Sequence, residues 1–575
     1  MRRGRLILLL LMAAAPAVQA ELEVSLADAM TRVPRLGAQP MTQMMSLQAA
    51  RGEWEAMQIV VSGTPEEVKE ATVEATGLTG PDKGRIPAPS VLREHYVKVT
   101  KSTLKAPLPA GEYADALVPS DFPWPELPKE ESINQPYWVD VFVPYGTKPG
   151  VYKGEVRVLG PGRVFLATRQ FIVTVLDFDM PVVPRLRTSI MTGWRRIAEV
   201  HGFDRDQVPP EPELRLLLDE YADLLARHRM SIDQMYSTYP EPDTGKLDES
   251  KVEAAMRKHL LHRHVSTLAL PIWPQWPFQD PLGKDRQAAL RYVADWMKIM
   301  QKLRMESRGY VIMGSLDEPN DNEAYARVRR WGDFFNEAEA VHKVRIPLLI
   351  TEQPTPDDWW WGRLDGNVDI WVPHFSDVWK DMESPDGKRD IARRLAVGDE
   401  VWCYAALVQM PDEWMAAKGS PETLKEGNPP VWCLDYPAMN HRVLAWVMPR
   451  HGITGLTYWD TLFASPGVDV WEDAGSFHHP GGGIYNGDGS YIYPATQERH
   501  GAHMPVASIR LKWLREMAED YDYLMLAKDM GLEKEAMELA ATFARGFGDW
   551  EDDMAKLYEA RSKLAALIVA KGGAQ

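Results

Sequence analysis

The sequence predicts two fold units in series, an N-terminal β-sandwich followed by a (β/α)8 TIM-like barrel with a helical C-terminal extension. Before residue 180, short runs rich in β-branched and aromatic residues, such as 137–143 and 171–175, are separated by glycines and prolines without a long helix between them. After residue 182, short apolar runs alternate with helical patterns such as 213–228 and 285–302. This alternation continues over roughly 270 residues, which favours a barrel of parallel strands.

Four segments follow from these patterns. The first is a signal peptide at residues 1–20, because three arginines precede an apolar run and Ala20 ends a small-residue pattern. The sandwich is predicted over residues 21–181, the barrel over 182–530 and the helical extension over 531–575. Because the N-terminal apolar run is too short for a confident membrane span, we expect an exported protein, periplasmic or extracellular, without a membrane anchor.

The composition restricts the partners. Aspartate and glutamate number 82 against 65 lysines and arginines, a formal net charge of −17 at pH 7. Such a surface repels nucleic acid and anionic lipid, whereas neutral ligands such as sugars remain possible partners. The two cysteines, Cys403 and Cys433, form either one bridge or two buried thiols. No cysteine–histidine cluster has zinc spacing, so we expect no metal and no cofactor; the oligomeric state is not determined by the sequence.

Two adjacent acids, Asp317 and Glu318, form the strongest catalytic signal. They follow the apolar run 310–313 and precede Pro319 and a helical pattern, which is the context of the carboxyl end of a barrel strand. There a carboxylic acid and a carboxylate can divide the work of breaking a glycosidic bond. The structural alternative is a pair of solvated turn residues ahead of a helix.

The adjacency of the two acids limits the mechanism. In an ordinary glycosidase the two carboxylates flank the sugar from opposite sides, whereas neighbours on one loop act from one region of the pocket. This favours substrate assistance, in which the 2-acetamido oxygen of the sugar attacks the anomeric carbon. Asp317 would orient and polarise that amide, and Glu318 would protonate the leaving oxygen and then activate water.

Aromatic residues at predicted strand ends are candidates for sugar platforms, since the apolar faces of sugars pack on rings. The alternative is that most of them are core aromatics. His374 either donates to a sugar hydroxyl or is a structural histidine, and Asp460 either binds hydroxyls or caps the next segment. The predicted substrate-binding residues are Trp194, Trp273, Trp371, His374, Tyr404, Trp459 and Asp460.

Other charged residues are interpreted as structural. Arg442 and Arg510 lie among apolar residues in helical patterns, which is typical of ion-pair partners. Glu53 and Glu55 lie in a strand-like run, where a solvated face explains them. We therefore expect the sandwich to support the barrel through an apolar interface rather than to bind substrate.

Several stretches spread over nearly all of the chain after the signal peptide carry a family resemblance: 50–58, 137–141, 148–154, 316–319, 455–459, 486–494, 508–511 and 519–524. Together they resemble glycoside hydrolase family 123 and related proteins with the same C-terminal catalytic region. The resemblance implies a β-sandwich plus (β/α)8 architecture and β-N-acetylgalactosaminidase activity with retention through an oxazolinium-type intermediate. It also implies the amide-orienting role for Asp317 and the acid/base role for Glu318. The stretch 434–442 departs from the family pattern, because the expected glutamate is absent.

Two alternatives remain open at this point. One is an ordinary double-displacement glycosidase with Glu318 as acid/base and a distant nucleophile such as Glu400 or Asp460. The other is a non-catalytic carbohydrate-binding or cell-surface protein that kept the barrel. The exact sugar, linkage and aglycone, and any glycan binding by the N-terminal domain, are not determined by the sequence.

Overall fold

The structure is a computed structural model that describes residues 22–38, 42–207, 210–233, 235, 245–356, 359–407, 429–480 and 482–572. The predicted signal peptide, residues 1–20, lies outside the described residues. Within the described ranges, every helix is too short or too polar to cross a membrane.

Two β-sheets form the N-terminal region and face each other across one apolar core. The first has the strand order β1-β3-β9-β7-β8, and the second has the order β2-β11-β10-β5-β6 with β4 paired to β10. Neighbouring strands are antiparallel except β2 and β11, which are parallel. The strands are β1 Glu23–Asp28, β2 Met44–Arg51, β3 Glu53–Gly63, β4 Thr72–Ala75, β5 Leu78–Thr79, β6 Arg85–Ile86, β7 Ser90–Val99, β8 Gly111–Val118, β9 Ile133–Val143, β10 Gly150–Leu159 and β11 Phe165–Asp179.

The remaining strands belong to a curled parallel sheet and to short hairpins. Five strands pair in the order β12-β18-β17-β16-β15, and β13 pairs with β14. Isolated parallel bridges join Ile190 to Ile232 and Val311 to Leu348. The strands are β12 Arg187–Ile190, β13 Leu268–Ala269, β14 Gly309–Tyr310, β15 Leu349–Ile350, β16 Ile370–Trp371, β17 Glu400–Ala405, β18 Gly455–Tyr458, β19 Phe477–His478, β20 Ile484–Tyr485, β21 Ile492–Ala495, β22 Met504–Ala507, β23 Ala544–Gly546 and β24 Asp549–Trp550.

Helix α1 packs on β3 and β9 of the N-terminal region, and the other helices follow β12 in the chain. A helical turn at Gly314–Leu316 follows β14. The helices are α1 Pro65–Glu70, α2 Trp194–Val200, α3 Pro212–Arg227, α4 Glu249–Arg257, α5 Arg286–Lys302, α6 Asn322–His342, α7 Phe375–Met382, α8 Asp390–Ala396, α9 Met439–Arg442, α10 Leu444–Val447, α11 Gln497–His500, α12 Ile509–Asp529, α13 Glu533–Ala540 and α14 Met554–Gly572.

The β-rich N-terminal region followed by alternating strands and helices agrees with the predicted fold. In the C-terminal part, the paired strands form a curled half-barrel, and a closed (β/α)8 barrel is not confirmed. The domain boundaries at residues 181 and 530 stay predictions. Cys403 and Cys433 are two buried free thiols and do not form a disulfide bridge.

Helix α12 is buried on all sides, although its sequence carries many charges. All residues from Ile509 to Leu524 are buried, because the sandwich covers one side and the parallel region and α14 cover the others. Strand β9 shows the consequence for the sandwich. Its residues Val139 and Val141 point into the sandwich core, and the alternate residue Asp140 faces α12.

Buried ion pairs join the sandwich and helix α9 to α12 and α14. Asp140 binds Lys512 at 2.7 Å and Arg515 at 2.8 Å. Burial alone would raise the pKa of Asp140, but Arg515 and Lys512 hold it well below its usual range. The other pairs are Arg510–Asp115 at 2.8 Å, Arg442–Asp520 at 2.7 Å, and Arg561 with Glu53, Glu55 and Asp520.

These pairs confirm one structural interpretation and correct another. Arg442 and Arg510 are ion-pair partners, as predicted. The expectation that Glu53 and Glu55 form a solvated face is wrong, since both are buried against Arg561. The interface does contain apolar contacts, since Leu117 and Trp138 of the sandwich share one hydrophobic cluster with Trp513 of α12. It also carries buried charges, which the sequence did not predict because Arg561 lies more than 450 residues from Glu53 and Glu55.

Replacing Asp140 by alanine should destabilise the protein by roughly 3–5 kcal/mol, because Lys512 and Arg515 would stay buried without their counter-charge. Asp177→Ala is the matched control, since Asp177 binds Arg51 on the surface and its loss should cost less than about 1 kcal/mol. Chemical denaturation of the full chain measures both free energies of unfolding. Equal losses in the two variants would contradict the importance assigned to the buried pairs.

Candidate active site

The loop that carries the two adjacent acids begins at the carboxyl end of β14. After the turn Gly314–Leu316, Asp317 has an extended conformation with φ −68° and ψ 136°, and Glu318 has a φ of +41°. Adjacent residues of a regular strand point to opposite sides, and the left-handed conformation of Glu318 breaks this alternation. Such a conformation is unfavourable for a residue with a side chain and is common at functional sites.

A single hydroxyl group orders both acids. Thr351, which directly follows β15, donates its hydroxyl hydrogen to Oδ1 of Asp317. The hydroxyl oxygen of Thr351 also accepts a hydrogen bond from the backbone N–H of Glu318 at 3.0 Å. Because Thr351 itself is buried, it fixes the position of the loop relative to the sheet.

Tyr404, near the end of β17, holds the second acid. Its hydroxyl donates to Oε1 of Glu318. Burial and the negative charge of Glu318 both raise the pKa of Tyr404, so its hydroxyl keeps its proton and remains a donor. Tyr404 was predicted to bind substrate; in the structure it contacts a predicted catalytic residue.

His374 supports Tyr404 and does not reach the pocket, which corrects its predicted role. Its ring contacts the Tyr404 ring edge-on, with 5.1 Å between the centroids. Its Nδ1 accepts from the backbone N–H of Ser376 at 3.2 Å and thereby caps α7. Burial lowers the pKa of His374 to about 3, so the ring is neutral. Of the two alternatives for His374, the structure therefore favours a structural histidine.

A pocket of about 490 Å³ opens beside the acidic loop. Its wall is built from residues that follow parallel strands or bridges, and Gly314 and Ser315 of the acidic loop belong to it. Since the carboxyl ends of parallel strands share one edge, this is where the topology gathers functional side chains. The lining residues are Met191, Gly193, Arg195, Arg196, Glu199, Arg205, Asp233, Trp273, Ile312, Gly314, Ser315, Trp459 and Asp460.

Three predicted substrate-binding residues meet in this pocket: Trp273, Trp459 and Asp460. Both tryptophans are half-buried, so part of each ring faces the pocket. The Asp460 carboxylate binds Arg196 at 2.9 Å and accepts from the backbone N–H groups of the two residues that follow it. Asp460 therefore caps the next segment, as one of its two interpretations predicts. It also lines the pocket, and its binding to sugar hydroxyls stays a prediction.

Two other predicted residues lie elsewhere. Trp194 is the half-buried first residue of α2, and the guanidinium of Arg195 lies 5.5 Å from its ring. Trp371 is fully buried, and its indole N–H donates to Asp399 at 2.8 Å. Trp371 is thus a core residue and not a sugar platform, because its side chain points to the helix side of the sheet. The position of Trp371 in a two-residue strand does not reveal to which side of the sheet it points.

Glu400, one of the two candidate distant nucleophiles, lies at the wrong end of the sheet. It is the first residue of β17 and binds Arg187, the first residue of β12, at 2.8 Å. The carboxyl ends of the same strands, with Tyr404 and Glu318, lie at the opposite edge. The structure therefore removes Glu400 from the candidates and leaves Asp460.

Two further carboxyl groups near Glu318 were missed from the sequence. Burial, together with the negative charges of Asp377 and Glu318, raises the pKa of Glu352 to about 8. Burial, together with the charge of Glu318, raises the pKa of Asp377 to about 6. Glu352 directly follows Thr351 at a strand end, a position that could have drawn attention to it. Asp377 lies on α7 and carried no such signal.

The described residues contain no group of three or more His, Cys, Asp or Glu side chains that could hold a metal ion. The groups that the acidic loop and the pocket offer to a ligand are carboxyl groups, hydroxyls, guanidinium groups and aromatic rings. An adjacent pair of acids, held by hydroxyl donors beside a pocket with two tryptophans, can polarise an amide and exchange a proton with a leaving oxygen.

Comparison with known proteins relates the N-terminal region to a family model and the whole fold to a solved structure. The family model of the glycoside hydrolase 123 N-terminal domain matches residues 32–160. No curated protein matches the sequence of this chain. A family 123 glycoside hydrolase from Clostridium perfringens, described in a structural study of glycolipid glycan hydrolysis, is 12% identical with a TM-score of 0.62, over 96% of this chain and 98% of that chain.

Two other solved structures are less similar to this chain. A Parabacteroides merdae β-glucuronidase is 14% identical, with a TM-score of 0.24 over 77% of this chain and 47% of that chain. An endo-β-1,4-mannanase from Thermotoga petrophila is 10% identical, with a TM-score of 0.29 over 60% and 77% of the two chains. Neither supports an argument about function.

The family match lies in the sandwich region, and the likeness in fold extends over almost all of both chains. The resemblance predicted from the sequence is confirmed: residues 32–160 match the model of the glycoside hydrolase 123 N-terminal domain, and the fold of the chain is similar to that of a family 123 glycoside hydrolase.

Proposed function

We propose that the protein hydrolyses glycans that end in a 2-acetamido sugar, N-acetylgalactosamine in the first instance, by substrate-assisted catalysis with retention. The observation that carries the proposal is the pair Asp317 and Glu318, adjacent on one loop and held by Thr351 and Tyr404 at the edge of the pocket. The Clostridium perfringens enzyme was studied for the hydrolysis of glycolipid glycans, and glycolipid glycans are therefore the substrate class proposed here.

The reaction follows from the positions of the acids. Thr351 engages one carboxylate oxygen of Asp317, and the other oxygen can accept from the acetamido N–H of the sugar. The acetamido oxygen attacks the anomeric carbon, the glycosidic bond breaks, and Glu318 gives its proton to the leaving oxygen. Glu318 then takes a proton from water, which attacks the same carbon and opens the oxazolinium ring with net retention.

The proposal includes a complete (β/α)8 barrel and export. The bridge between Ile190 and Ile232 extends the curled sheet beyond β12. Next to it, the hydroxyl oxygen of Ser231 accepts from the backbone N–H groups of Ser266 at 3.0 Å and Thr267 at 3.3 Å. These side-chain bonds span the gap towards β13 and support a closed wall.

The basic and apolar N terminus supports export, which would bring the enzyme to glycans outside the cell.

A second candidate function remains because Asp460 lines the pocket. In a double-displacement glycosidase, Glu318 would be the acid/base and Asp460 the nucleophile that binds the sugar covalently. Against this stand the ion pair and the two backbone hydrogen bonds that already engage Asp460. Burial raises the pKa of Asp460, which disfavours the charged form that a nucleophile needs.

Mutation of the two acids should lower the rate of hydrolysis in different ways. Glu318→Gln removes the proton donor, so hydrolysis should fall by about 10²-fold or more for poor leaving groups and less for activated nitrophenols. Asp317→Asn removes the charge that stabilises the oxazolinium, so both substrate types should lose about 10²-fold or more together. Steady-state kinetics on nitrophenyl and natural glycosides, with and without the 2-acetamido group, measure both effects.

Glu323→Gln is the control for these variants, since Glu323 is an exposed acid on α6 that binds Arg330. It should keep wild-type activity. Near-full activity of Glu318→Gln or Asp317→Asn on a confirmed substrate would show that the role assigned to that residue is wrong. Binding of glycans by the wild type without turnover of any of them would favour a non-catalytic carbohydrate-binding protein.

A thiazoline mimic of the cyclised intermediate should bind far more tightly than the product sugar, because it resembles the charged intermediate. Inhibition constants for the two compounds test this directly. Equal affinities would count against substrate assistance. A sugar trapped covalently on Asp460, detected by mass spectrometry of the digested enzyme, would support double displacement instead.

The raised pKa of Glu352 predicts a pH-dependent stability. Its ordinary pKa is 4.5 and its folded pKa is about 8, so folding favours the protonated form. The stabilisation is complete below about pH 4.5 and is lost as the pH rises through about 8. Glu352→Gln should flatten this part of the pH profile of the melting temperature, whereas Glu323→Gln should not. An unchanged slope in Glu352→Gln would refute the protonated state of Glu352.

A further inference from the structure

Three consecutive tryptophans, Trp359, Trp360 and Trp361, follow β15 in the chain, and we refer to them as the tryptophan triad. The rings of Trp359 and Trp360 stack nearly in parallel, with 4.7 Å between their centroids and 15° between their planes. The Trp361 ring stands perpendicular to both. Trp360 is 74% exposed and is the most exposed tryptophan in the described part of the chain. One face of its ring is therefore covered by Trp359, and the opposite face is open to solvent.

The backbone around the triad is anchored to two helices. Nη2 of Arg393 on α8 donates to the carbonyl of Thr355 at 2.8 Å, and Thr355 is fully buried. Nη1 of Arg329 on α6 donates to the carbonyl of Trp361 at 3.1 Å. The ring of Trp360 is thus held out from a fixed loop. A rigid aromatic ring that is already in place loses little conformational entropy when a ligand packs on it.

The triad packs beside the acidic loop. The Trp361 ring contacts the ring of Tyr325, with 5.3 Å between the centroids. Tyr325 lies in the first turn of α6, the helix that directly follows the acidic loop. Burial and the negative charge of Glu352 raise the pKa of Tyr325, and Glu352 in turn experiences the charge of Glu318. These contacts place the triad at the same edge of the sheet as the two acids.

The order of the strands shows on which side of the acids the triad lies. Strand β14 pairs with β13, and the bridge between Val311 and Leu348 joins it to the β15 side. Trp273 of the pocket follows β13, whereas the triad follows β15. The acidic loop after β14 therefore lies between the pocket and the triad. When the terminal sugar of a glycan occupies the pocket and the cleaved bond lies at the acids, the rest of the glycan extends towards the triad.

The surroundings of the open ring face restrict what it binds. Nucleic-acid bases also stack on aromatic rings, but a net charge of −17 repels their phosphates. A lipid surface needs a broad apolar patch, and the other exposed large apolar residues described after β12 lie elsewhere: Leu216 on α3, Val341 at the far end of α6 and Val397 after α8. A single flat ring fits the apolar face of one sugar residue.

We propose that Trp360 is the platform for a neutral sugar residue in the leaving part of the glycan, beyond the cleaved bond. The inference rests on the proposed function, because it takes Asp317 and Glu318 as the point of cleavage. The apolar face of the sugar stacks on the open face of Trp360, and Trp359 and Trp361 hold the indole in position. The preferred substrates are then oligosaccharides long enough to reach from the acids to Trp360. A single sugar with a small aglycone does not use this contact.

The test compares a nitrophenyl glycoside with oligosaccharides of increasing length, all with the same terminal 2-acetamido sugar. Trp360→Ala removes the platform, and Trp360→Phe keeps a smaller ring. Val341→Ala is the matched control, because Val341 is an exposed apolar residue at the opposite end of α6. Steady-state kinetics of the full chain give kcat and KM for each substrate, and thermal unfolding checks that every variant is folded. Calorimetric titration of the longest oligosaccharide into Glu318→Gln, with and without Trp360→Ala, measures binding without turnover.

For oligosaccharides that reach the triad, Trp360→Ala should lower kcat/KM by about three- to tenfold, mainly through a higher KM, because the lost contact is a ring-stacking contact. Trp360→Phe should lose less, and the loss should be confined to the long substrates. Val341→Ala should match the wild type on every substrate. The calorimetric affinity should fall by about the same factor as kcat/KM.

Hydrolysis of the long substrates with equal kcat/KM in Trp360→Ala and the wild type would overturn the platform and leave the proposed function intact. An equal loss on the nitrophenyl glycoside would indicate a general disturbance of the site and would also overturn the platform. Binding that depends on Trp360 without hydrolysis of any glycoside would support the platform and refute the proposed reaction. Neither binding nor hydrolysis would refute both. A change in oligomeric state alone in Trp360→Ala, measured by light scattering, would show that the triad is an interface between copies of the chain and would overturn the proposal.

Discussion

The buried charges on helix α12 are the constraint on which the rest of the structure depends. A helix buried on all sides would ordinarily be apolar, yet Lys512, Arg515 and Asp520 must each find a counter-charge away from water. The partners come from β9, α9 and α14, so sandwich, parallel sheet and C-terminal helix can pack only in the arrangement that completes these pairs. A shifted packing would leave charges buried and unpaired, which is far more costly than losing an apolar contact.

The candidate active site uses the same principle on a smaller scale. Neither Asp317 nor Glu318 is positioned by its own strand, because the strand has ended and Glu318 has a left-handed backbone. Their positions come from hydroxyl groups on two other strands, Thr351 after β15 and Tyr404 on β17. Preorganised donors of this kind fix a carboxylate before substrate arrives, and catalysis benefits because no reorganisation is then needed in the transition state.

The surroundings of Glu318 place several carboxyl groups in a small volume. Glu352 and Asp377 respond by holding protons to higher pH than exposed carboxyl groups do, because burial and the charge of Glu318 disfavour their ionisation. The neutral His374 behind Tyr404 adds no charge to this arrangement.

The sequence by itself determined the β-rich N-terminal region, the alternation of strands and helices, the adjacent acids and two tryptophans of the pocket, since each depends on residues close together in the chain. Local periodicity also marked α12, but it could not show that its charged side would be buried, because Asp140 and Asp115 lie hundreds of residues away. Only the tertiary structure decided that Trp371 and His374 pack inside, that Glu400 lies at the opposite edge from Glu318, and that Thr351 and Glu352 join the site. The physical reason is that the direction of a side chain at the end of a two- or three-residue strand depends on the packing of its neighbours, and no local pattern encodes it.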